Sequence, residues 1–158
     1  MIKNIFLIIV IFSFLNTYAQ NFNVILQVND VNIDGEITAM YLSNNNSRDE
    51  ERIRVNYYPG DLIIPDYEKS NFEKLNNDFT LTFNYNTYKR NSQQIATFNI
   101  QLSKELLKQP YLIINIYDFR VRKYKRWFQH CAKNSDYFPQ ISFQNSGFCP
   151  RIKYITPF

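Results

Sequence analysis

Apolar and polar residues alternate with a period of two along most of this chain, and that period belongs to β-strands. Phe22, Val24, Leu26 and Val28 alternate with Asn23, Ile25 and Gln27. Phe79, Leu81, Phe83 and Tyr85 do so more cleanly, with Thr80, Thr82 and Asn84 between them. Ile37, Ala39 and Tyr41 keep the same rhythm, as do Ile53, Val55 and Tyr57, and Phe98, Ile100 and Leu102. Each segment is expected to lay one set of side chains on a core and the other in water. Residues 111–119, YLIINIYDF, break the pattern because both faces are apolar through Ile116. Such a run suits a strand near the middle of a sheet, covered on both sides at one end.

Asn, Asp and Ser dominate the connections at residues 29–35, 44–51, 69–78 and 86–93, and Pro59-Gly60 punctuates the chain before Leu62. One short helix is expected over residues 103–108. Ser103 can cap its first turn ahead of Leu106 and Leu107, and Pro110 ends it. The pattern predicts an all-β fold of seven to nine short strands with turns about every 8–12 residues and at most one short helix. An antiparallel β-sandwich is the leading architecture, with a partly open barrel as the alternative. There are no internal repeats and no low-complexity linker, so residues 20–158 read as a single domain.

Residues 1–19 are different in kind. Lys3 precedes an 11-residue run at residues 5–15 that is apolar except for Ser13, and Thr17 and Ala19 are small residues at the −3 and −1 positions of a cleavage site before Gln20. The run is far shorter than the roughly 20 residues that cross a bilayer. A cleavable signal peptide is therefore expected, with a secreted or periplasmic product and no transmembrane anchor after its removal. No Cys lies near the cleavage point, which argues against a lipid anchor.

Removing the leader leaves 139 residues, enough for one domain with a hydrophobic core. The loss of Lys3 lowers the net charge from +4 to +3. That field is too weak to imply a nucleic-acid partner. Asn, Ile, Lys, Tyr and Phe are the residues of A+T-rich codons, so the 17% aromatic content carries little weight as a ligand platform. The two cysteines, Cys131 and Cys149, are expected to bridge, because disulfides persist in exported compartments. Such a bridge closes a loop of about 19 residues, worth roughly 3 kcal/mol in the chain-entropy account. Free thiols or a metal site are the alternatives.

Two stretches resemble known proteins. Asp34-Gly35-Glu36-Ile37 through Tyr41-Leu42-Ser43 resembles the opening hairpin of small exported β-sandwich proteins with no assigned activity. Residues 106–128, with YLIINIYDF followed by KYKRWF, are similar to another set of exported β proteins. Together they cover about a quarter of the chain. The resemblance implies an exported sandwich, of immunoglobulin- or transthyretin-like type, and carries no function and no site residues.

Candidate chemistry is sparse. Asp30-x-Asn32-x-Asp34-Gly35 matches the first half of a calcium loop, in which alternate residues converge their oxygens. Position 12 is Tyr41, which has no carboxylate to offer, and the flanks are strands. A hairpin turn is the expected role, with Asp34-Gly35 taking positive φ angles. A weak calcium site from Asp30, Asn32, Asp34 and Glu36 is the alternative. His130 is the only histidine, which excludes a multi-His zinc site within one chain. In a strand its side chain would point away from that of Cys131. No Gly-x-Ser-x-Gly turn is present, and Ser103 and Ser142 have no catalytic context. Among the carboxylates, the 49–51 run reads as a solvated loop and Asp118 as a turn acceptor at the end of an apolar strand.

Arg120, Arg122, Lys123, Lys125, Arg126 and Lys133 form the densest positive cluster, with Tyr124, Trp127 and Phe128 interleaved. If the segment is extended, Arg122, Tyr124, Arg126 and Phe128 share one face while Lys123, Lys125 and Trp127 share the other. That fits an edge strand whose cations discourage further pairing. The run from Arg120 through Trp127 is nonetheless the best partner surface on the chain, suited to an anionic protein or glycan. The expected function is an exported, non-catalytic binding module that needs no cofactor. A small exported hydrolase using an Asp/His or paired-carboxylate site is the rival.

Overall fold

The computed structural model describes residues 19–44, 52–89, 92–132 and 134–144. Within them the alternating segments become ten strands: β1 (Gln20–Val28), β2 (Val31–Asn32), β3 (Ile37–Asn44), β4 (Ile53–Arg54), β5 (Asn56–Tyr58), β6 (Gly60–Ile64), β7 (Asp78–Lys89), β8 (Ser92–Ser103), β9 (Leu112–Asp118) and β10 (Tyr137–Ser142). A 3-10 turn (Asp66–Glu68) and three short α-helices punctuate them: α1 (Lys69–Lys74), α2 (Lys104–Leu107) and α3 (Arg122–Phe128). The chain is mostly β, as the period-two pattern predicts. The strands exceed the expected nine because β2, β4 and β5 are only two or three residues long. No helix among the described residues is long and apolar enough to cross a membrane.

The strands form two sheets. The first has the order β10-β9-β1-β6-β5, with β2 also paired to β1, and the second has the order β4-β3-β7-β8. Most pairs are antiparallel, but β1 and β9 run parallel, with Val24 to Val28 facing Leu112 to Ile116. The first sheet is therefore mixed, which corrects the expectation of purely antiparallel pairing. A parallel pair needs a long crossover, and the whole second sheet lies between β1 and β9 in the chain.

One apolar cluster draws on both sheets. Val24 and Leu26 of β1, Leu62 and Ile64 of β6, and Ile114 and Ile116 of β9 join Leu42 of β3, Leu81 and Phe83 of β7, and Phe98 and Ile100 of β8. Each contributes alternate residues, so the pleat aims them to one side. β9 fulfils the reading of residues 111–119. It sits between β10 and β1, and Leu112, Ile114 and Ile116 enter the shared cluster. Tyr117, on its other face, is covered by Tyr124 and Phe128 of α3.

Local signals explain several junctions. Ser103 caps α2, its Oγ accepting from the Leu106 N–H at 3.3 Å. Gly60 takes a φ of 101° after Pro59, a region costly for any other residue. The β1–β2 hairpin turns on Asn29 and Asp30, with φ angles of 57° and 68°. Positive φ at both central residues is what a two-residue I′ turn requires, and Asn and Asp tolerate it. The positive angles thus fall at Asn29-Asp30 rather than at Asp34-Gly35, which lies in the bend and turn before β3. Two helices were not expected. α1 forms where residues 69–78 read as a loop, because Phe72 is buried against Phe22 and Phe79 at ring distances of 5.7 and 6.4 Å. α3 replaces the expected edge strand.

Candidate functional site

α3 owes its existence to a spacing that the run of cations obscures. Tyr124, Trp127 and Phe128 stand at i, i+3 and i+4, which places them on one side of a helix. Tyr124 and Phe128 are buried, and Phe128 is fully so. The Phe128 ring stacks on Tyr117 with centroids 4.0 Å apart and on Phe138 at 5.6 Å. Lys125 and Arg126 occupy the last turn, where cations complement the helix dipole. This aromatic triplet was the signal available in the sequence, and it gives the helical period that the strand reading missed.

The helix also redistributes the charges. At roughly 100° per residue, Arg122, Lys123, Lys125 and Arg126 fall within about 160° of arc, opposite Tyr124 and Phe128. All four are exposed. None of them makes an ion pair among the described residues. Lys123 lies over the Trp127 ring at 4.4 Å and the Tyr124 ring at 5.2 Å. Trp127 is half-buried at the flank, edge-on to Tyr124 at 5.8 Å. The positives that a strand would divide between two faces are gathered onto one.

Arg120 and Tyr124, read as partner-facing from sequence, are committed elsewhere. Arg120 Nε donates to both oxygens of the buried Asp118 carboxylate, at 3.0 and 2.7 Å, and its N–H donates to Asp118 Oδ1 at 2.9 Å. Tyr124 turns inward. Its hydroxyl donates to the Asn29 carbonyl at 2.9 Å and lies 3.3 Å from Asp30 Oδ2. Asn115 Nδ2 donates to Asp30 Oδ1 at 2.7 Å, and Asn115 Oδ1 accepts from the Asp30 N–H at 3.2 Å. Asn29 Oδ1 accepts from the Asp118 N–H at 3.0 Å. These bonds tie the β1–β2 turn, the end of β9 and α3 into one partly buried polar knot, where each group has a partner.

Across from this knot, burial raises the pKa of Tyr85, and the charges of Glu36 and Asp118 raise it further while Arg120 opposes them. The hydrogen bonds that the Arg120 guanidinium donates to Asp118 raise the Arg120 pKa. Because the folded state favours neutral Tyr85, its contribution is complete below its ordinary value of 10.0. It is lost as pH climbs through the raised value. Tyr85→Phe is expected to lessen the alkaline fall of the urea unfolding midpoint relative to wild type. Equal slopes for the two proteins above pH 10 would contradict this.

The four residues of the half calcium motif do not converge. Asp30 is held in the knot, Asn32 Oδ1 accepts from Gln27 Nε2 at 2.9 Å, and Glu36 Oε2 accepts from the Asp34 N–H at 3.1 Å. Among the described residues no three His, Cys, Asp or Glu side chains gather as a metal site. His130 follows α3 in a turn rather than a strand, and its Nε2 lies 3.2 Å from Cys131 Sγ. Neighbouring side chains meet there because the backbone is not extended. Ser103 is a helix cap, and Ser142 lies in β10. Cys149, Lys133, the carboxylates at 49–51 and the leader through residue 18 lie outside the described residues.

A groove that no motif announced opens beside β3. Its volume is about 400 Å³, and Asp34, Thr38, Arg54, Asn56, Tyr57 and Tyr58 are among its walls. β3 is irregular there. Its register against β7 shifts between Thr38 and Tyr41, and Ala39 takes a φ of 49°, rare for a residue with a side chain. The lining comes from two stretches of the chain, residues 34–40 and 54–58, so no local pattern could disclose it. One acid, one base and two tyrosines can hold a small polar molecule, but they include no nucleophile paired with a base.

No protein-family model matches this chain, and neither a curated protein nor a solved structure matches it.

Proposed function

We propose that this chain is an exported, non-catalytic binding module that docks an anionic protein or glycan surface, at the cell envelope or outside, through the outer face of α3. The observation that carries this reading is the set of four exposed cations with no ion pair among the described residues, Arg122, Lys123, Lys125 and Arg126, on one side of a helix flanked by Trp127. Opposite charge on a partner would steer its approach and set its orientation. Trp127 offers an aromatic anchor at the rim of the face, a residue type enriched at binding hot spots. Export rests on the tripartite leader at residues 1–19. A hydrolase centred on Asp118 draws less support, since that carboxylate is engaged by Arg120.

We read the two sheets as the layers of a sandwich, on the strength of the apolar cluster they share. Immunoglobulin-like and transthyretin-like variants of that architecture both remain within this reading. The Cys131–Cys149 bridge belongs to the same account of an exported domain. Denaturing the exported protein without reductant and adding an alkylating reagent should label neither cysteine. Labelling of both would remove the bridge.

Pull-down from envelope and culture-supernatant fractions tests the function. A discrete anionic protein or acidic glycan should be retained in dilute buffer and released as salt rises. Screening should act over a Debye length near 10 Å at 0.1 M. A partner whose retention is indifferent to salt, or no partner in either fraction, would overturn the reading.

A further inference from the structure

Strands at the edge of a sheet expose unpaired backbone groups, and proteins commonly blunt them. Four strands end the two sheets here: β10 and β5 in the first, β4 and β8 in the second. β10 contains Pro139, β5 has three residues, and β4 has two, one of them Arg54. β8 has none of these protections. Its 12 residues, SQQIATFNIQLS, contain no charge and no proline.

The direction in which β8 offers its free groups follows from one contact. The Asn99 N–H donates to the Tyr137 hydroxyl at 2.8 Å, and that hydroxyl donates to the Asn99 carbonyl at 2.8 Å. The main-chain groups of Asn99 therefore point away from β7. The β7–β8 ladder runs without a register shift from Asp78 opposite Ser103 to Lys89 opposite Ser92. In such a ladder alternate residues face the same way, so the N–H and C=O groups of Gln93, Ile95 and Thr97 also point outward. Tyr137 closes the edge only at Asn99. Among the described residues nothing bonds the outward main-chain groups of these three. Their side chains are exposed, and Ile95 is 58% exposed.

We propose that the open edge from Gln93 to Thr97 pairs antiparallel with the same edge of a second copy of this chain, about a two-fold axis at Ile95. Charge selects this occupant. Two copies of the mature chain, each with a net charge of +3, meet with least local repulsion on a neutral strip, and β8 supplies one. The symmetry is self-consistent as well. It sets Gln93 against Thr97 of the second copy and Ile95 against Ile95, so the exposed isoleucine buries itself on its counterpart. Lys89, across from Ser92, lies beyond the paired stretch. Three facing pairs exchange about six main-chain hydrogen bonds. The contact is smaller than permanent dimers use, so association is weak and depends on concentration. The inference is independent of the cationic face of α3.

Sedimentation equilibrium between about 10 μM and 1 mM tests it. Wild type should pass from monomer to dimer over that range. Ile95→Lys and Ile95→Glu, each checked for native circular dichroism, should stay monomeric because like charges face each other at the axis. Mixing the two variants in equal amounts should restore a dimer, since opposite charges then meet. A wild type that is monomeric throughout overturns the proposal, and so does a dimer that tolerates both substitutions. If wild type dimerises and the mixture does not, the axis at Ile95 is wrong and the proposal fails.

Discussion

Phe128→Ala should cost about 3–5 kcal/mol of unfolding free energy, the penalty for hollowing a packed aromatic site. The ring is fully buried, with Tyr117 stacked 4.0 Å away on one strand and Phe138 5.6 Å away on the next. Truncation leaves a void between α3 and β9 at the centre of the ring cluster of Tyr117, Tyr124 and Phe138. A domain of this size is typically stable by only about 5–15 kcal/mol, so the variant is near the limit of folding. The loss should not stay local. α3 has seven residues, too few to hold a helix in water by propensity alone, and its packing on β9 supplies the difference. Urea unfolding followed by far-ultraviolet circular dichroism measures the cost, and Phe128→Leu should lose much less. A loss below about 1 kcal/mol for the alanine variant would show that α3 is not anchored through this ring.

The contrast between β9 and α3 shows which physics a single sequence carries. In β9 the apolar run itself reports burial on both faces, and the structure covers both. β7 and β8 place Phe79, Leu81, Phe83, Phe98, Ile100 and Leu102 inside as their alternation predicts, with Tyr85 partly buried and Thr82 buried beside them. The cap on α2 follows from Ser103 alone. Such features depend on a residue and its near neighbours. The parallel pairing of β1 with β9 does not, because a period of two says which face of a strand is buried and nothing about which strand lies beside it. The polar knot shows the same limit. Asn29 and Asn115 are ordinary turn and strand residues in the sequence, and only the pairing of β1 with β9 brings Asn115 to Asp30 and Asn29 to Asp118. At α3 two periods competed. Cations at alternating positions mimicked a strand edge, while three aromatics at helical spacing decided the outcome, since burying Tyr124 and Phe128 outweighs where flexible charged side chains point. The groove beside β3 had no sequence signature, because the bulge in β3 and the short strands β4 and β5 of a second stretch of the chain form it together.

Combining Arg122→Ser, Lys125→Ser and Arg126→Ser should weaken partner binding on the order of tenfold or more in dilute buffer, and should flatten its salt dependence. Each removed cation lies on the outer arc of α3 and makes no ion pair among the described residues. Folding stability should therefore change little, and any loss of binding reports the surface itself. Net charge falls by three in this variant, so a matched control is needed to separate a local face from a general attraction. Lys69→Ser, Lys74→Ser and Lys108→Ser removes the same charge from α1 and the end of α2, with Lys69 and Lys108 already paired to Asp66 and Glu105. Charge alone predicts equal weakening by both triple variants. A docking face on α3 predicts that the first loses binding while the second keeps most of it. Trp127→Ala extends the comparison, since its loss should persist at high salt where the charges are screened. Full partner affinity in a folded α3 triple variant would remove this face as the binding site and direct attention to the groove beside β3.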